Sequence, residues 1–481
     1  MMKRLCWYDF LTINLFWLGL NIRNTAVGSV FTPYLVALFV PESQRNTALG
    51  FISTAGLIIA MLVQPAAGLL SDRSTSRFGR RRPFIFVGTL FDLLFLTALA
   101  LSGNFWMLLV ATLLIQFSAN VSHGPLQGLI PDLVPEAQRG RASAIKAVME
   151  LIPIVLVGFT IAQLVGRGLL GWAVFVTGAA LLVTMLLTLF TVKEEPLRER
   201  PSTSFKVPML RVLGMLAGII AGAVAGLVGG GVVGGLAGLV AWPFLGRATA
   251  LAVAVGLGGV VTMVVAVIAG VWSGALVTLG QDARRQYGFT WWVVNRLLFL
   301  AAATSFQGFL PFFLMYTFRV SAEEAASMNG TLMTIIGLFI MLAAFAGGWV
   351  SDRFGKRPTV GVSGVIAAVG AALALTVIWL PNMTIIYAAG VIIGLGVGLF
   401  MTANWALGTD LVPAEEAGRY LGISNLAGAG AGMIGKGIGG PIADYLNGYL
   451  PGLGYFAIFA SYAILFLASA VSLKWIRRSS A

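Results

Sequence analysis

The stretch GLLSDRSTSRFGRRRP (residues 68–83) packs five arginines into a chain in which only 10% of residues are charged. It returns in shortened form as GWVSDRFGKRP (348–358), with Asp72 and Asp352 280 residues apart. A second pair, DLVPEAQRGR (132–141) and DLVPAEEAGR (410–419), repeats at an offset of 278. Two independent motifs at nearly one offset mark a duplicated unit. The stretches flanking the motifs show what kind of unit it is.

The first basic loop lies between ISTAGLIIAMLVQPAAGLL and IFVGTLFDLLFLTALAL, each long enough to cross a bilayer. With 58% hydrophobic residues, the 481-residue chain holds more apolar surface than a soluble core hides, so lipid is its main solvent. Apolar runs near 11–39, 47–70, 83–102, 105–130, 142–165 and 170–192 predict six spans. A second six fall near 290–317, 326–350, 358–380, 384–408, 420–445 and 453–475. The opening MMKRLCWYDF leads into a long apolar segment without a small-residue cleavage site, which reads as a first span rather than a signal peptide.

A net charge of +13 would suggest nucleic acid in a soluble protein, but here topology accounts for it. With both termini in the cytoplasm, the cytoplasmic side holds Lys3, Arg4, Arg73, Arg77, Arg80, Arg81, Arg82, Arg139, Arg141, Arg353, Lys356, Arg357, Arg477 and Arg478. The opposite side holds only Arg45, Arg167, Arg247 and Arg319, which fixes the orientation. The single cysteine, Cys6, excludes an intramolecular disulfide and a cysteine-rich metal site. No stretch resembles a nucleotide-binding loop, a zinc site or a catalytic triad, so no metal, cofactor or enzymatic activity is expected.

The expected fold class is an all-α integral membrane protein: two pseudo-symmetric six-helix bundles with two extra helices between them, about 14 spans. The domains are 1–195, an insert with its linker at 196–285, and 286–481. The insert carries glycines at 214, 218, 222, 226, 230, 234 and 238. Such an every-fourth-residue stripe lets another backbone approach closely in lipid, and a membrane-protein partner can dock on it. Low-complexity filler is the plainer reading.

The G-x-x-x-D-R motif followed by glycine and basic residues, between the second and third spans of each half, resembles the loop signature of the major facilitator superfamily. The longer form VQPAAGLLSDRSTSRFGRRRPFI (63–85), with FTPYL (31–35), resembles sucrose–proton symporters and their relatives in the glycoside–pentoside–hexuronide group. HGPLQGLIPDL (123–133) and GFLPFFLMYT (308–317) fit the same group. The resemblance implies a rocking transporter in which the first, fourth, seventh and tenth helices line a central cavity. It also implies that Asp72, Arg73, Arg80 and Arg81 form a gating clasp that latches the halves in one state, with Asp352, Arg353 and Lys356 as its weaker mirror.

The chain departs from that group where the group's chemistry lies. Its symporters carry an aspartate eight residues before the Gly-Pro pair of the fourth helix and an arginine two after it. Aligned on Gly124-Pro125, these are Gln116 and Gln127. The acidic pair after the seventh-helix proline corresponds to Tyr316 and Phe318. Sucrose specificity and proton coupling therefore do not carry over residue by residue.

The residues themselves offer a different polar surface. In the fourth span Gln116, Asn120, His123 and Gln127 follow i, i+4, i+7, i+11, one stripe of a helix. Asn21, Thr25, Gly28 and Thr32 do the same in the first. Amides and hydroxyls suit a hydroxyl-rich ligand, offering donors and acceptors without fixed charge; the same groups also hold helices together. The 278 offset maps the fourth-helix stripe onto Gly394, Gly398, Met401 and Trp405, a smooth wall with Trp405 as an aromatic platform or as plain packing. Gln307 is a further ligand candidate. His123, the only histidine, titrates near neutral pH in water and can carry a proton in place of the missing aspartate. Arg23, off the first-helix stripe, is expected to pair with Glu150, structurally or as a coupling device. Asp92 and Lys436 are intramembrane charges with no assigned role.

These features predict a secondary active transporter of a small polar solute, a glycoside first, by proton symport across the plasma membrane. An uncoupled facilitator is the alternative within transport. A non-transporting assembly or pigment-handling factor, docking a partner on the glycine stripe, is the alternative outside it.

Overall fold

A computed structural model describes residues 5–194, 196–197, 206–412 and 430–476. Lys3, Arg4, Arg477, Arg478 and most of the second DLVP motif lie outside the described residues. Those described are helical, with short connections, and eleven helices among them are long and apolar enough to cross a membrane. One of the eleven, Lys206–Leu279, breaks at Gly246, whose φ of 76° and ψ of 166° only glycine adopts freely, so it is two helices in a hairpin. The first span runs as helix Trp7–Ala26, π-turn Val27–Phe31 and helix Thr32–Phe39.

The duplication is carried down to single side chains. Asn104 caps the fourth-span helix Phe105–Gln127 by accepting from the Met107 amide at 3.0 Å. Asn382, 278 residues later, caps the tenth-span helix Met383–Thr409 through the Thr384 amide at 2.8 Å. The π-turn Val157–Ile161 of the fifth span has its counterpart in Met433–Ile438 of the eleventh.

Two compact units emerge, residues 1–39, 55–212 and 322–334 in one, and 40–54, 213–321 and 335–481 in the other. They depart from the expected boundaries at 195 and 286 in two ways. The insert joins the second unit, and the first turns of the second-span helix Arg45–Ser71 and the eighth-span helix Ala322–Phe354 each join the other half's unit.

The exchanged helix ends have a physical cause. Gly330 lies on Gly158 at the fifth-span π-turn, where an added Cβ would sit 2.6 Å from the Gly158 carbonyl oxygen. Gly50 lies in the same way on the Lys436 carbonyl at the eleventh-span π-turn, and a Cβ there would collide. Polar ties close each crossing. Ser327 Oγ donates to Gln163 Oε1 at 2.6 Å, and the Asp444 carboxylate accepts from Asn46 Nδ2 and the Thr47 amide, both at 2.7 Å.

The first unit's core gathers Phe10, Phe16, Trp17, Leu181 and Met185. In the second, Phe299 and Phe400 stack with centroids 3.6 Å apart. The insert's glycine stripe packs on the hairpin's own return helix. A Cβ at Gly218 would sit 2.5 Å from the Gly274 nitrogen, one at Gly226 2.6 Å from the Thr262 carbonyl, and one at Gly222 would strike the Gly270 backbone. The stripe does bring two backbones together, but its face is filled from within. The expected partner-docking surface at 214–238 is thereby corrected.

Candidate functional site

The basic loop is organised by Asp132, an aspartate outside the expected clasp. Arg81 is 7% exposed; its Nε bonds Asp132 at 2.5 Å and its Nη2 bonds Asp72 at 2.7 Å, while Arg80 also pairs with Asp132. Burial works against the Arg81 charge, but Asp132 and Asp72 outweigh it and hold its pKa above the ordinary arginine value. Glu194 accepts from the amides of Arg81 and Arg82 at 3.0 and 3.2 Å, holding the start of the third-span helix Arg82–Ala100. The second half repeats the plan in reduced form. Lys356 bonds Asp410 at 2.8 Å, and Asp410 is the 278-offset counterpart of Asp132. Arg82 and Arg357 donate to the carbonyls of Leu189 and Leu473, at the ends of the sixth and twelfth spans. Arg353 stacks on Trp349 at 5.4 Å. Among the described residues, Arg80 and Arg81 thus bond Asp132 of a neighbouring loop and Asp72 bonds Arg81 within the basic loop itself, all inside the first unit.

Inside the first half, the expected Arg23–Glu150 pair does not form. Arg23 forms an ion pair with Asp92 of the third span at 2.9 Å, both side chains 1% exposed, and donates a hydrogen bond to Asn24 Oδ1 at 2.7 Å. Asp92, the charge without an assigned role, is thereby explained. Glu150 pairs one turn back with Lys146 at 3.2 Å. The correction has a simple cause: Lys146 is on the same helical face as Glu150, so local pairing needs no partner from another helix.

Trp17 centres a cluster on these residues. Lys146 Nζ lies 4.0 Å above its ring, and His123 meets its edge at 5.2 Å with planes at 85°. His123 and Gln127 approach at 3.5 Å between their Nε2 atoms. Asn21 and Asn120 donate to the carbonyls one turn before them, Trp17 and Gln116, at 2.9 and 2.7 Å. The Gln116 stem packs on Gly56 of the second span. Asn21, Thr25, Gln116 and His123 are half-buried, Gln127 is exposed and Asn120 is buried. The arrangement therefore presents amide, hydroxyl and imidazole groups beside a carboxylate that is itself reachable.

The second half is different. Gly394 and Gly398 face the backbone of the eighth-span helix around Ile336 and Ile340, so the supposed smooth wall is a helix seam. Trp405 is 37% exposed, and Arg296 sits 5.2 Å over its ring. Arg296 also bonds Asn404 Oδ1 at 3.3 Å, and Asn404 Nδ2 donates to Asn295 Oδ1 at 2.7 Å. The Trp405 platform thus has a guanidinium on it. Gln307 is half-buried on the seventh-span helix Tyr287–Phe318. Among the described residues no group of histidine, cysteine and acidic side chains is disposed to hold a metal.

The family model of the Major Facilitator Superfamily matches residues 18–435 and 292–481. The chain belongs to the Major Facilitator Superfamily. It is a multi-pass membrane protein of a superfamily of transporters, not of enzymes. Within that superfamily it is similar to proton-associated sugar transporter A of Homo sapiens, 33% identical over 204 residues, 37% of this chain and 27% of that one. It is also similar to sucrose transport protein SUC3 of Arabidopsis thaliana, 29% identical over 139 residues, 24% of this chain and 23% of that one. The matched segments thus span about a quarter of these relatives' length. Among solved structures, a D-xylose–proton symporter shares the fold with a TM-score of 0.66 at 16% identity, 99% of each chain being covered.

For this superfamily member, sequence reasoning finds the polar stripe and notes Asp92 as an intramembrane charge, but misses its pairing with Arg23, the role of Asp132 and the Trp17 cluster. Only Asp132 leaves a usable signal, its repetition as Asp410.

Proposed function

We propose that the protein is a secondary active transporter that moves a glycoside or similar small polar solute by alternating access, coupled to proton symport. The observation that carries this reading is the first half's line of half-buried amide and hydroxyl groups around His123, adjoining the Lys146–Glu150 pair. A sugar offers the hydroxyls such groups bind. Glu150, more than a third exposed, is a carboxylate that water can reach and whose protonation would release Lys146. The partly matched relatives bear names that refer to proton-associated sugar and sucrose transport. Placement in the plasma membrane with both termini cytoplasmic, about 14 spans, and the basic loops as conformational clasps belong to the same proposal.

The test is uptake of labelled sucrose and a panel of other glycosides by purified protein in liposomes, with and without an inward proton gradient. Accumulation above equilibrium only with the gradient is expected. Equilibration alone would mean a facilitator, the reading that the loss of the group's acidic residues at Gln116, Tyr316 and Phe318 favours. Absence of uptake across the panel would overturn transport of glycosides.

A further inference from the structure

The insert shares a cleft with the seventh span, inside the second unit. The cleft measures about 460 Å³, part of it open to the outside. Met215 and Ile219 line it from the insert's first helix, side chains between Ala266 and Ala275 from the return helix, and side chains between Phe289 and Leu297 from the seventh span. Among the described lining residues only Thr290 has a polar side chain, and its hydroxyl already donates to the Ala283 carbonyl at 3.1 Å. A sugar finds no hydrogen-bonding wall there, and a resident water needs about two to four polar partners. The cleft suits an apolar occupant.

Its shape is long rather than round. From Ala266 to Ala275, and from Phe289 to Leu297, it follows the two helices for about 12–14 Å by helical rise. One leaflet of a bilayer's hydrocarbon core is about 15 Å deep, half of the whole. Aromatic rings mark the level of one end. Trp272 lies 5.6 Å from Tyr287, Tyr287 lies 6.2 Å from Trp291, and Trp291 stacks on Trp475 at 4.5 Å. Tryptophan and tyrosine gather at the headgroup level. Phe289 and Thr290, which line that end of the cleft, stand between Tyr287 and Trp291 on the same helix.

The same end carries charge. The bond from Thr290 to Ala283 holds the short helix Asp282–Arg285 beside the cleft, and Arg284 and Arg285 are exposed on it. Neither arginine forms an ion pair among the described residues, although Asp282 is on the same short helix. An apolar slot one leaflet deep thus ends at headgroup level beside two arginines.

We propose that this cleft is a lipid site, holding one acyl chain of an anionic phospholipid whose phosphate rests on Arg284 and Arg285. Within a bilayer the apolar wall offers the chain packing contacts but no hydrophobic drive, so the arginines select the headgroup. The site gives the insert a ligand of its own and requires nothing of the transported solute.

The test is native mass spectrometry of the purified full-length chain, stripped of lipid in detergent and then offered phosphatidylglycerol or phosphatidylcholine with identical acyl chains. One phosphatidylglycerol per chain is expected, held about ten-fold or more tightly than phosphatidylcholine, since each arginine near an anionic headgroup contributes about five-fold. Arg284→Gln combined with Arg285→Gln should lower phosphatidylglycerol to the level of phosphatidylcholine. Val293→Phe, which fills the cleft, should weaken both lipids. Val277→Phe, at an exposed position of the return helix outside the cleft, should bind as the wild type does. Because the arginines are exposed, their replacement keeps the test decisive even if Val293→Phe fails to fold. Equal binding of the two lipids, a preference that survives the arginine replacements, or binding that a folded Val293→Phe leaves unchanged would each overturn the proposal. Dimers that exclude the lipid would assign the cleft to a second copy of the chain and overturn it as well.

Discussion

At the scale of single residues, two ion pairs within the spans of the first half, Arg23–Asp92 and Lys146–Glu150, differ in how much water they see, and they should behave oppositely under mutation. Arg23–Asp92 is sealed, so Asp92→Asn leaves an uncompensated guanidinium in the interior and should cost about 3–5 kcal/mol. A double replacement, Arg23→Met with Asp92→Leu, should recover most of that loss, because the pair's attraction largely offsets its own desolvation. Thermal unfolding of the detergent-solubilised protein distinguishes the two variants. If the double variant is no better than the single, the pair has a role beyond neutralising itself. Lys146–Glu150 is 29% and 38% exposed and joins neighbouring turns of one helix, so Glu150→Gln should shift stability by under about 1 kcal/mol. Its effect should fall on coupling, with gradient-driven accumulation reduced ten-fold or more in the liposome assay. Undiminished accumulation would remove Glu150 from the proton path.

At the scale of elements, the insert illustrates how a sequence pattern shows an interaction without showing its address. The spacing of glycines 214 to 238 announces a close backbone approach, and the same spacing would arise for a partner protein or for the next helix. The deciding features are the break at Gly246 and the small residues Ala254, Gly258, Thr262, Ala266, Gly270 and Gly274 on the return helix, which meet the stripe one by one. Gly222→Val should therefore force the hairpin apart and destabilise the isolated protein by about 1–3 kcal/mol or more. Gly231→Val, at a position where an added Cβ would meet nothing within 4 Å, should be neutral within about 0.5 kcal/mol. Equal melting temperatures for the two variants in the purified chain would return the stripe to an outside partner.

At the scale of the whole molecule, the fold is legible in the sequence because its signals are periodic: apolar runs of bilayer length, a charge bias between the two sides and a motif repeated at one offset. The candidate site is legible only in part. Helical spacing puts Gln116, Asn120, His123 and Gln127 on one face, yet it carries no information about which charges on different helices meet. That is why Arg23 points to Glu150 in the sequence and meets Asp92 in the structure. The repeat reaches further than its motifs. The same offset that relates the two DLVP stretches relates the capping residues Asn104 and Asn382 and the loop anchors Asp132 and Asp410. It also leads to a quantitative expectation, because the two anchors are alike in position but unlike in surroundings. Asp132 is 18% exposed, holds two arginines and binds one that is nearly buried, whereas Asp410 and Lys356 are each about a third exposed. Hydrogen bonds to buried charges contribute about 1.5–3 kcal/mol, while exposed pairs contribute under about 1 kcal/mol. Asp132→Asn should therefore lower the unfolding midpoint clearly further than Asp410→Asn does, in the same detergent and at the same salt. Raising the salt should erase the small Asp410→Asn effect and leave most of the Asp132→Asn one. Equal losses would mean that the basic loop at 71–84 owes its order to something other than Asp132, and the arginines Arg80 and Arg81 would then be serving topology alone.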